Sequence, residues 1–60
     1  MRVLNIEDDT FKHNDICKAL SECGIKDIEW SNNLADGWKQ IKNSIDSNNP
    51  YDLIITDMYY

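Results

Sequence analysis

Met1-Arg2-Val3-Leu4-Asn5-Ile6-Glu7-Asp8-Asp9 opens the chain, and its reading decides the fold. Val3, Leu4 and Ile6 make a short, nearly continuous apolar run that stops abruptly at three acids, the pattern of a strand buried on both faces. From Phe11 onward the period changes. Ile16, Ala19, Leu20 and Cys23 fall at i, i+3, i+4 and i+7, which predicts an amphipathic helix with that stripe turned inward. Asp9 or Thr10 can cap its start by accepting from the orphan N–H groups of the first turn, and Gly24 is its natural stop.

Ile25 to Ser31 then alternates, with Ile28 and Trp30 interleaved by Asp27 and Glu29, as suits a strand exposed on one side or lying at a sheet edge. Asn33 leads into Leu34, Trp38, Ile41 and Ile45 at helical spacing, and Asp36 stands three residues after Asn33 in capping-box position. Gly37 weakens this second helix. The polar run Asp46-Ser47-Asn48-Asn49-Pro50 is a loop, and Tyr51-Asp52-Leu53-Ile54-Ile55-Thr56 is again rich in β-formers, closed by Asp57. The run Leu53-Ile54-Ile55 reads as the most buried strand of the three. The order is therefore βαβαβ, an α/β fold, and right-handed crossovers make its strands parallel with helices packed on the sheet.

Composition narrows the function. With 42% hydrophobic and 28% charged residues, two Gly and one Pro, the chain has the profile of a globular protein with a packed core. At 60 residues it forms one small domain at most, burying only about 60% of its unfolded surface. Eleven Asp and Glu against six Lys and Arg give a net charge of -5, which repels phosphate backbones and anionic lipid, so no direct nucleic-acid or membrane binding is expected. No apolar run approaches the ~20 residues needed to span a bilayer, and the acidic start is unlike a signal peptide. A cytoplasmic location is expected. Cys17 and Cys23, about 9 Å apart along one helix, are beyond disulfide reach and are expected to be reduced and buried as small hydrophobes.

The carboxyl ends of parallel strands are where ligands sit in such folds, and here they carry Asp8, Asp9 and Asp57. If the first and third strands are neighbours, about 4.8 Å apart, Asp9 and Asp57 share one small pocket despite their separation in sequence. Carboxylates about 5 Å apart repel by roughly 3 kcal/mol at an effective dielectric near 20, and a divalent cation removes that cost. An oxygen-only donor set suits Mg²⁺ better than zinc. A carboxylate beside such a cation can also attack phosphorus, and Asp57, alone at its strand end, is the candidate nucleophile.

These residues resemble the receiver domain of bacterial two-component response regulators, a flavodoxin-like fold with strand order 2-1-3 in its first half. The likeness rests on Val3-Leu4-Asn5-Ile6-Glu7-Asp8-Asp9, on the helix-strand-helix between, and on Tyr51-Asp52-Leu53-Ile54-Ile55-Thr56-Asp57-Met58. It implies that Asp57 is the phosphoacceptor, that Asp9 binds Mg²⁺ directly and Asp8 through water, and that the backbone carbonyl of Tyr59 completes the protein's share of the coordination. The implied phosphoryl donor is a histidine kinase or phosphotransfer protein.

A complete receiver continues into two further strands, a Ser/Thr that senses the phosphoryl group and a Lys that pairs with it. Residues 1–60 are expected to be its amino-terminal half. In that case the third strand is an unpaired apolar edge, and a homodimer or domain-swapped assembly through it is expected.

Other readings are weaker. Asp46 to Asp57 mimics an EF-hand spacing, but Tyr51 holds the Gly position and Pro50 a ligand position. Trp30 and Trp38, without basic neighbours, are expected to cover the contact of sheet and helix rather than to stack on bases. His13 reads as a solvated surface residue. An aspartyl-nucleophile phosphatase needs its nucleophile on the first strand. The remaining alternative is a receiver-like interaction module, or inactive fragment, that never accepts phosphate.

Overall fold

The computed structural model describes residues 1–56. Strand β1 (Arg2–Ile6) leads to helix α1 (Thr10–Glu22), strand β2 (Asp27–Ser31), helix α2 (Leu34–Asp46) and strand β3 (Leu53–Thr56). The sheet is parallel in the order β2-β1-β3. Val3 stands opposite Ile28 on one side and Leu53 on the other, and Ile6 opposite Ser31 and Thr56. The expected α/β architecture and strand order are both present.

Alternation along β1 assigns the helices to opposite faces. Asn5 bonds to His13 of α1, so the Val3-Asn5-Glu7 side faces α1. Ile6 lies under Gly37 of α2, so the Arg2-Leu4-Ile6 side faces α2. With a strand on each edge and a helix over each face, β1 is the core: Val3, Leu4 and Ile6 are buried, each contributing about 1.5–3 kcal/mol relative to exposure.

Both helices end in the same hydrogen-bonded motif, which releases the chain toward the next strand. After α1, Gly24 N–H donates to Ser21 O and Ile25 N–H to Leu20 O, with Gly24 at φ +86°. After α2, Asn48 N–H donates to Ile45 O and Asn49 N–H to Ser44 O, with Asn48 at φ 58°. These are the paired bonds of a left-handed helix terminus, for which Gly and then Asn are the least strained residues. At the other end of α2, Asn33 accepts from Asp36 N–H at 2.8 Å and its amide donates to the Asp36 carboxylate at 3.0 Å.

Four expectations about burial are corrected. The strand Leu53-Ile54-Ile55 is not the most buried: Leu53 and Ile54 are 40% and 43% exposed, because β3 pairs with β1 alone among the described residues. In α2 the stripe through Trp38 and Ile45 is open to solvent, and Gly37 and Ser44 are buried instead. The rotation follows from a close approach: a Cβ on Gly37 would fall 2.5 Å from Ile6 Cδ1, so this glycine is the place where helix backbone rests on the sheet. In α1 no described side chain is fully buried; Ile16 and Leu20 are half-buried while Ala19 is exposed. The cysteines are free thiols, but Cys17 is half-buried and Cys23 exposed, because α1 touches the sheet along a narrow line.

The amino-terminal rim is tied together by Arg2. Its guanidinium pairs with Glu29, donates to Asn49 O, and lies 4.4 Å over the Tyr51 ring, while its backbone exchanges bonds with Asp52. That cluster anchors the α2–β3 connection to β1 and sets the register of β3.

Candidate functional site

The carboxyl ends of β1 and β3 meet at Ile6 and Thr56, and the acids follow directly. Asp8 is exposed in the bend between β1 and α1. Asp9 is the N-cap of α1: its Oδ1 accepts from Phe11 N–H at 2.9 Å and from Lys12 N–H at 3.4 Å, and its carbonyl accepts from His13 N–H. One carboxylate oxygen of Asp9, Oδ1, is thus engaged by the helix terminus. Asp57 and Tyr59 lie outside the described residues.

Glu7 is the acid that composition and spacing passed over. It extends the Val3-Asn5 side of β1 by one more alternation, and only 2% of its surface is exposed. Its backbone is held on both sides, with N–H donating to Ser31 O at 2.9 Å and carbonyl accepting from Trp30 Nε1 at 2.7 Å. Its Oε1 accepts from Asp9 N–H at 3.1 Å, but among the described residues Oε2 is buried without a hydrogen-bond partner. Leaving a buried acceptor unmade costs about 1–3 kcal/mol, and more when it is charged. The legible signal was the period-2 continuation of β1 through Asn5 to Glu7, which the run of three acids disguised.

Glu7 opens on a groove of about 400 Å³ lined by Lys12, Asp15 and Ile16 of α1 and by Ile55 and Thr56 of β3. The groove lies at the strand ends, on the α1 side of the sheet.

Behind it runs a polar chain. Asn5, completely buried, donates through Nδ2 to Ile55 O at 3.1 Å and receives His13 Nδ1 at its Oδ1, 2.7 Å away. Because the Asn5 oxygen is an acceptor, Nδ1 carries the imidazole proton and Nε2 keeps its lone pair. Trp30 stacks on the imidazole, ring centroids 4.3 Å apart and planes within 12°. Burial holds the His13 pKa below its ordinary value, opposed by the nearby charge of Glu7. His13 is therefore a tethered half-buried residue, not the solvated one expected, since the register sets Asn5 beside Trp30 and both reach toward α1. Trp30 does cover the contact of sheet and helix, whereas Trp38 is 64% exposed.

Among the described residues no group of three or more His, Cys, Asp or Glu side chains could hold a metal ion. Glu7 and Asp8 are neighbours in the sequence, and carboxylate oxygens are hard donors of the kind Mg²⁺ takes together with water. No described helix is long and apolar enough to cross a membrane. No family model, curated protein or solved structure matches the chain.

Proposed function

We propose that the chain belongs to a phosphoacceptor receiver of the response-regulator type, cytoplasmic, in which Asp57 takes a phosphoryl group from a histidine kinase or phosphotransfer protein. The observation that carries the reading is the buried Glu7 carboxylate, whose Oε2 has no partner among the described residues, at the end of the central strand and beside Thr56, the residue before Asp57. The parallel order β2-β1-β3 and the acidic strand ends support it.

In this reading Glu7 and Asp8, rather than Asp9, hold Mg²⁺ together with Asp57 and the Tyr59 carbonyl. The cation, when bound, neutralises charge on the transferring phosphoryl oxygens. An Asp57 carboxylate oxygen attacks phosphorus, the phosphorus–nitrogen bond of the donor breaks, and the imidazole departs with that electron pair. Asp9 keeps the first turn of α1 in place beside the site. Two copies associate along the open edge of β3, where Leu53 and Ile54 are exposed.

The test is incubation with acetyl phosphate and Mg²⁺, followed by intact mass measurement of the wild type and of Asp57→Asn. One phosphoryl group on the wild type and none on the variant is the expected result. No adduct on either, with Mg²⁺ also leaving thermal stability unchanged, favours the inert interaction module. Sedimentation of a folded monomer at high protein concentration would rule out the β3 dimer.

A further inference from the structure

Gly37 and Ser44, two turns apart, are the buried residues of α2 and set which way its other sides look. At about 100° per residue, Gln40 and Asn43 fall on one flank, and Leu34, Trp38, Ile41 and Ile45 on the other. The polar flank overlooks β2, since Gln40 lines a cleft with Trp30 and Ser31, and Gln40 and Asn43 line a second with Glu29. The apolar flank is therefore turned toward β3. Helix α2 itself lies over β2 and β1. Ile54 stands opposite Leu4, so it projects on the α2 side of the sheet, and it is 43% exposed. Trp38 and Ile45 are 64% and 61% exposed. Helix flank and strand face together make an apolar step, bordered by the outer edge of β3, which is unpaired among the described residues.

We infer that a second copy of the chain occupies this step, so that the β3 edge and the α2 flank form one continuous interface. The inference rests on the β3 association proposed above and not on phosphoryl transfer. Edge and step adjoin, and antiparallel pairing of two β3 strands about a two-fold axis puts both α2 helices on the same face of the joined sheet. The step is also self-complementary. Ile41 lies about 6 Å along α2 from Gly37, close to the distance from Ile6 back to Leu4 along β1, so it stands level with Ile54, with Trp38 and Ile45 about one turn to either side. A two-fold axis near the Ile54 pair sets Trp38 of each copy against Ile45 of the other. The two α2 axes are then roughly 14–19 Å apart, against a helix diameter of about 10–12 Å, and the long indoles span the difference. The area suffices as well. A Trp side chain carries up to about 250 Å², and at these exposures Trp38, Ile45 and Ile54 offer roughly 350 Å² per copy. At the apolar share of about 60% found in ordinary interfaces, two copies reach about 1,200 Å² in total, where specific association begins.

The experiment is sedimentation equilibrium of the complete chain over a concentration series, for the wild type, Trp38→Gln, Ile45→Gln and Phe11→Gln, with far-ultraviolet circular dichroism as the check on folding. Phe11 is 82% exposed on α1, across the sheet from the step, and controls for unspecific adhesion. A reversible wild-type dimer is expected, weakened at least about tenfold by either α2 substitution and unchanged by Phe11→Gln. Should Trp38→Gln unfold, Ile45→Gln decides. A dimer indifferent to both α2 substitutions overturns the inference and leaves the edge pairing of β3 standing. A wild type that stays monomeric overturns both, and an equal loss in Phe11→Gln marks the contact as unspecific and overturns the inference too.

Discussion

The imidazole of His13 and the indole of Trp30 lie face to face, 4.3 Å between centroids, although one belongs to α1 and the other to β2. Both reach the end of β1: His13 through Asn5, and Trp30 through the Glu7 carbonyl. A charge on the imidazole is opposed by burial and favoured by Glu7, burial being the larger effect. A histidine whose folded pKa is depressed binds fewer protons folded than unfolded, so stability is intact above the ordinary value of about 6.5 and declines as pH falls below it. The ring-proton NMR titration of this single histidine is expected to have its midpoint below about 6.5, and His13→Gln is expected to flatten the decline in stability as pH falls below that ordinary value.

Glu7 separates a structural acid from a functional one. Glu7→Gln replaces a charged orphan oxygen by a neutral group and keeps the acceptor for Asp9 N–H, so the metal-free protein is expected to gain up to about 1–2 kcal/mol. The same substitution is expected to abolish any Mg²⁺-dependent rise in melting temperature. Urea denaturation with and without Mg²⁺ measures both, and a Mg²⁺ response that survives in Glu7→Gln would refute the role given to this residue.

Neighbouring Asp8 and Asp9 should behave oppositely. Asp9→Ala removes the N-cap of α1 and is expected to cost about 1 kcal/mol, while Asp9→Asn keeps an accepting oxygen and costs little. Asp8→Ala, at an exposed bend, is expected to change stability by less than about 0.5 kcal/mol. Under the proposed reading Mg²⁺ binding survives Asp9→Asn and weakens in Asp8→Ala, which isothermal titration distinguishes.

Gly37 fixes how α2 seats on the sheet. Gly37→Ala regains about 1 kcal/mol of helix propensity but forces Ile6 Cδ1 aside from 2.5 Å, an overpacking that costs about 1–3 kcal/mol. A net loss of up to about 2 kcal/mol is expected. Pairing it with Ile6→Val, which deletes the clashing methyl, is expected to recover part of that loss, and a double-mutant cycle by urea denaturation reads the coupling directly.

Asn48 carries a positive φ at the end of α2. Asn48→Gly relieves the residual strain of a left-handed residue that bears a side chain, and a gain of up to about 1 kcal/mol in chemical denaturation is expected.

The order of elements, their parallel arrangement and the caps at Asn33 and Gly24 were legible in the sequence by itself. Each depends on residues within a few positions: the period of Ile16, Ala19 and Leu20, the apolar run Val3 to Ile6, and side chains that bond N–H groups of the adjoining turn. Only tertiary structure decided that Glu7 is the buried strand-end acid, that Gly37 rather than Trp38 meets the sheet, and that His13 joins Asn5 and Trp30. Those outcomes turn on strand order and helix rotation, set by contacts such as Asn5 to Ile55 and Gly37 to Ile6 that span dozens of residues. Local periodicity records which residues prefer to be inside; it does not record which neighbour arrives to bury them.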